Sequence, residues 1–200
     1  YLHRRRQSLL DITMETCAAH LQVDQPLDEL DPLLQKAITD TNPGITEHRW
    51  FELGDEERMG AVNTAKGKYF EYLVADRLND GQQVGDIVLA HGQHAVLAES
   101  MTQPGWDMQV VDSHGDVVSY LQLKATESSG YVQHALERFP DIQILATSEA
   151  ANHAYSGHVV LDSGLSDATL QDQLTHAVDA ADTSVAERFA DYICPLLPLI

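Results

Sequence analysis

Two hundred residues, 44% of them hydrophobic, can bury a real core and suit one domain of ordinary size or a domain with an appended helical segment. Twelve Lys and Arg against 31 Asp and Glu leave a formal charge of −19, which disfavours broad, non-specific attraction to a polyanion, since such binding runs on cationic side chains. Cys17 and Cys194 offer neither a CxxC nor a zinc-ligand spacing, and no apolar run approaches the roughly 20 residues needed to cross a bilayer, so disulfide scaffolds, structural zinc and membrane spans are not indicated.

Apolar residues recur at three- and four-residue intervals from Gln7 to about Leu21 and from Leu27 to about Thr39, which predicts two amphipathic helices. Thr41-Asn42-Pro43-Gly44 is turn chemistry, and Gly54-Asp55-Glu56-Glu57-Arg58 reads as a loop entering another helix. Residues 1–60 therefore read as an N-terminal helical subdomain, and 61–200 as a second domain. Thr64 can cap a helix running to about Asn79, which Gly81 terminates in a left-handed conformation. Strand-like segments follow at Val84–Ala90, Ala95–Ala98, Asp107–Asp112 and Val117–Thr126. A helix from about Ser129 stops at Phe139 before Pro140, Ile142–Ala146 and Val159–Leu161 supply further strands, and helices over Leu165–Val178 and Thr183–Ile193 close the chain. The expected fold is α/β, a mixed sheet flanked by helices.

A two-residue turn at His114-Gly115 would make paired positions of the hairpin sum to 229, so that Asp107 faces Gln122. Side chains alternate along a strand, which puts Lys124 on the Gln122 face and diagonal to Asp107, with Leu121 and Leu123 on the other. On the helical wheel Glu71 falls beside Phe70, Val74 and Leu78 at the margin of a core-facing stripe, with Tyr69, Tyr72 and Asp76 turned outward. An ionised carboxylate there needs a partner, because burying it alone is costly. The histidines His91 and His94 read as turn residues around Gly92, not as a metal pair.

Gly67-Lys68-Tyr69-Phe70-Glu71 on a helix, then Gly105-Trp106-Asp107 opening a strand, then Gln122-Leu123-Lys124 on the next, resembles the E…D…QxK signature of the PD-(D/E)xK, restriction-endonuclease-like nucleases, in the QxK form of the Mrr-like branch. The resemblance covers about residues 61–147. It implies a restriction-endonuclease-like core in which Glu71, Asp107, Gln122 and the backbone of Leu123 hold Mg²⁺ (or Mn²⁺), a hard cation that prefers oxygen. Lys124 would assist phosphodiester hydrolysis, with DNA as the expected substrate in a restriction, repair or toxin-effector setting. Lys66 and Lys68, taken to lie at the start of the Glu71 helix, are expected to meet substrate phosphates, and Trp106 to stack on a base or pack beneath the site. An amide in place of an acidic ligand weakens metal affinity, so the alternative is a catalytically degenerate nuclease-like fold whose acidic surface binds a basic protein partner. A reducing, cytoplasmic setting suits the two unpaired-looking cysteines. The start at Tyr1 and the abrupt Pro-Leu-rich end point to a piece of a longer protein.

Overall fold

The computed structural model describes Leu27, residues 30–100 and residues 103–179. The helices expected over Gln7–Leu21 and Thr183–Ile193, and both cysteines, lie outside the described residues. The first helix, α1 (Pro32–Thr41), begins where Asp31 Oδ1 accepts from the Leu33 and Leu34 amides at 3.0 and 3.1 Å, and Pro32 occupies the first turn, where no amide is missed. A short helix that the periodicity did not reveal, α2 (Glu47–Glu52), is capped by Thr46 and buries Trp50. Arg58 is buried against it, its Nε donating to the Trp50 carbonyl at 3.1 Å.

The long helix α3 spans Asp55–Asn79. Its start is nine residues earlier than Thr64, because Asp55, Glu56 and Glu57 complement the positive end of the helix and Glu57 Oε2 accepts from the Gly54 amide at 3.0 Å. Thr64 is an interior residue whose hydroxyl donates to the Gly60 carbonyl. Lys66 and Lys68 are therefore mid-helix, out of reach of the dipole end invoked for them. The far end is as expected: Gly81 (φ +75°) donates to Leu78 and Gln82 to Arg77, a left-handed cap closing two free carbonyls. The boundary expected at residue 60 falls inside α3, and Leu34, Ile38 and Trp50 share one core cluster with Phe70, Leu121 and Leu145. Tyr69 is buried, contrary to its outward assignment, because α1 packs on a second side of α3.

Five strands form one mixed sheet in sequence order: β1 (His94–Leu97), β2 (Met108–Val111) and β3 (Val117–Lys124) antiparallel, then β4 (Gln143–Ala146) and β5 (Val160–Asp162) parallel. The segment 84–90 is not a strand. Val84 and Ile87 exchange two backbone hydrogen bonds around Gly85 (φ +57°), a turn too tight to extend. Asn79 clamps the edge strand, its amide donating to the Ala95 carbonyl and accepting from the Ala95 amide. Helix α4 (Ser129–Arg138), the short α5 (Ser148–Ala151) and α6 (Asp167–Asp179) complete the described chain. Helices α1, α3 and α6 pack against Leu121, Leu123 and Leu145 on one sheet face; α4 and α5 pack against Ile144 and Ala146 on the other. No described helix is long and apolar enough to cross a membrane.

The β2–β3 register is Met108 with Leu121, Gln109 with Tyr120 and Val110 with Ser119, the predicted sum. It is reached by a different route. The connection holds three residues, with Asp112 paired to Asp116 and Gly115 at φ +87°, and a bulge between Val110 and Val111 restores the displaced position. Asp112 Oδ1 accepts from the His114 and Asp116 amides inside the loop, which holds that carboxyl below its usual range.

Candidate active site

Three chain segments meet where β2 begins and β3 ends. Asp107 precedes β2, and its carboxylate bridges to the neighbouring strand: Oδ2 accepts from the Leu123 amide at 2.7 Å and lies 3.4 Å from Lys124 Nζ. The side chain thus stands in for a ladder carbonyl and is fixed by it. Glu71, from the centre of α3, lines the same cleft of about 240 Å³ together with Lys68, Asp107, Leu123 and Lys124. Lys68 Nζ donates to Glu71 Oε2 at 2.7 Å, one helical turn away. Glu71 Oε1 and Asp107 Oδ1 make no hydrogen bond with any described residue.

Burial pushes the Glu71 carboxyl above its usual range, and the Asp107 charge adds to that push, while Lys68 and Lys124 oppose it. Two carboxylates and two ammoniums therefore share one half-buried cleft. Each carboxylate commits one oxygen to nitrogen donors and keeps one for an added cation or water. Among the described residues no group of three or more His, Cys, Asp or Glu side chains converges to hold a metal, so any ion here would rest on two carboxylates plus amide, backbone and water oxygens.

Of the expected quartet, Glu71, Asp107 and Lys124 come together. Gln122 does not line the cleft. It lies on the Lys124 side of the sheet, 7% exposed, and its Oε1 is buried with no hydrogen-bond partner. Leu123 lines the cleft, with its amide already given to Asp107. Among the residues expected to contact substrate, Lys68 is in place and two are not. Lys66 Nζ lies 3.0 Å from both carboxylate oxygens of Asp167, tying α3 to the first turn of α6. Trp106 packs on Tyr120, ring centroids 5.2 Å apart, outside the cleft. Tyr131 on α4 was not foreseen. It lines the cleft, exposed, with Lys124 Nζ 5.9 Å from its ring. The only sequence signal was Ser128, whose cap bond to the Tyr131 amide starts α4 at the mouth of the cleft.

No protein-family model, no curated protein and no solved structure matches this chain.

Proposed function

We propose that this cleft is the divalent-metal site of a nuclease of the restriction-endonuclease-like, QxK type, hydrolysing phosphodiester bonds, with DNA as the substrate. The observation that carries the reading is the convergence of Glu71 from a helix, Asp107 from the residue before β2 and Lys124 from the end of β3 in one cleft. The element order α3, β1, β2, β3, α4, β4, with β4 parallel to β3, supports it.

The donor chemistry fits a hard cation. Asp107 Oδ1 and Glu71 Oε1 are free oxygens on residues that line the cleft. Asp107 and Glu71 would hold Mg²⁺ or Mn²⁺. Bound there, the ion would polarise the phosphoryl oxygens and acidify a water. Lys124 contributes a charge on a short tether to Asp107, placed to stabilise the negative charge that grows on the phosphorus oxygens as the water attacks. Lys68 neutralises Glu71 and is the nearest second cation for the substrate phosphate.

A second reading rests on a specific observation. Gln122 is absent from the cleft and each carboxylate is already paired with a lysine, which suits a degenerate core that binds a basic protein through its −19 surface. Supercoiled plasmid incubated with Mg²⁺ and the wild type, Asp107→Ala or Lys124→Ala separates the two. Cleavage by the wild type alone supports the nuclease. Equal cleavage by all three, or none by any at low and high salt, removes it.

A further inference from the structure

A second cavity, of about 370 Å³, adjoins the first and is lined by Lys36 and Asp40 of α1, Lys68 and Tyr72 of α3, and Leu97, Ala98 and Glu99 at and just beyond the end of β1. Lys68 and Ala98 line both, so the two form one tract along the side of α3. The wheel position of Tyr72 gave no hint of this, because its partners are contributed by α1. Lys36 Nζ donates to Tyr72 Oη at 2.6 Å and to Asp40 Oδ2 at 2.7 Å, and Tyr72 Oη donates to the same Asp40 oxygen.

The Tyr72 ring is the centre of the arrangement. Lys36 Nζ lies 4.1 Å and Lys68 Nζ 5.3 Å from its centroid, so one aromatic ring holds two ammoniums at one cavity by cation–π attraction. An ammonium carries three N–H donors. Lys36 uses two of them, on Asp40 and Tyr72, and Lys68 uses one, on Glu71, so three remain for a ligand rich in acceptor oxygens. Leu97 and Ala98 supply an apolar wall beside them. Two of the chain's four lysines thus flank one ring beside the proposed site, Lys36 paired with Asp40 and Lys68 with Glu71, with Glu99 on the same cavity wall.

We propose that this cavity is a backbone subsite for the nucleic-acid strand, in which Lys36 and Lys68 take the phosphodiester next to the one being cut, its sugar rests on Leu97 and Ala98, and Tyr72 positions both ammoniums. The proposal rests on the nuclease reading for its substrate. It does not require cleavage to be tested. Contacts to phosphate and sugar alone carry no sequence information, so the subsite is indifferent to base identity.

The test is binding without turnover. Fluorescence anisotropy with a labelled 16-nucleotide DNA strand, in EDTA and over a range of salt, reads affinity and the slope of log K against log salt. Lys36→Gln is expected to weaken binding about three- to ten-fold and to reduce the slope by about 0.7, one phosphate contact on a single strand. The charge-balanced Lys36→Gln/Asp40→Asn variant separates contact from general electrostatics: the reduced slope persists if Lys36 touches phosphate and returns to the wild-type value if it does not. Tyr72→Phe keeps the ring and is expected to bind within about two-fold of wild type, whereas Tyr72→Leu falls with Lys36→Gln. Circular dichroism checks that each variant is folded. No binding by the wild type at low salt, or an unchanged slope in Lys36→Gln, overturns the subsite. Failure of plasmid cleavage with these slopes intact would instead overturn the nuclease and leave the subsite standing.

Discussion

Replacing Gln122 by Met should make the protein more stable. Gln122 is 7% exposed on the α4 side of the sheet, in register with the buried Ile144 of β4, and its Oε1 has no donor. A buried carbonyl that has left water without finding a hydrogen bond costs about 1–3 kcal/mol. Met is close in volume and unbranched, so repacking consumes under about 1.5 kcal/mol and often much less. The net expectation is a gain of about 1 kcal/mol, which for a chain of this size raises Tm by about 2–4 °C. Urea unfolding followed by circular dichroism would read it as a higher midpoint at unchanged slope. A midpoint that falls or stays fixed at constant slope would refute the reasoning, since it would mean that the amide oxygen is satisfied in solution.

Gly85→Ala should cost at least about 3 kcal/mol, because the residue sits at φ +57° and a Cβ would meet the Asp162 carbonyl oxygen at 1.6 Å; Gly115→Ala, at φ +87° in open space, should cost only about 1–2 kcal/mol, and equal losses in urea unfolding would sink the distinction. Glu149 accepts from Ser166 Oγ and the Asp167 amide at the start of α6, and its carboxyl is lowered from 4.5 to about 2. The stability this contributes is present above pH 4.5 and is lost as pH falls towards 2, about 1–2 kcal/mol after allowing for solvent screening. Glu149→Gln should therefore flatten the acid limb of the stability curve, and parallel limbs would contradict it. Lys66→Met strands the buried Asp167 carboxylate and should cost about 3 kcal/mol, most of it recovered in Lys66→Met/Asp167→Leu; no recovery would mean that the loss has another origin.

Much of the site was readable because its members are held by local rules. Alternation along β3 and the pairing of Met108 with Leu121 are consequences of strand geometry, so Asp107 and Lys124 could be brought together from sequence alone. The turn is one residue longer than His114-Gly115 alone predicts and the bulge compensates by one, two deviations that periodicity cannot resolve because each affects a single pair. Glu71 was legible as a boundary carboxylate for the same reason that Tyr69 was not: the wheel describes one packed side of a helix, and α3 has two. Valines and leucines around 84–89 look like a strand until Gly85 is known to take a positive φ beside Asp162. The fates of Lys66 and Lys36 depend on partners 101 and 36 residues away, and no local pattern records such pairs.

Titration of the purified protein with Mn²⁺, followed by electron paramagnetic resonance, tests Asp107 and Glu71 as a divalent-cation site without requiring turnover. Bound Mn²⁺ is expected in the wild type, with its loss in Asp107→Ala and its retention or tightening in Lys124→Met, where a competing cation is removed beside Asp107. A wild type that leaves all Mn²⁺ free, or an Asp107→Ala variant that binds as the wild type does, would contradict it.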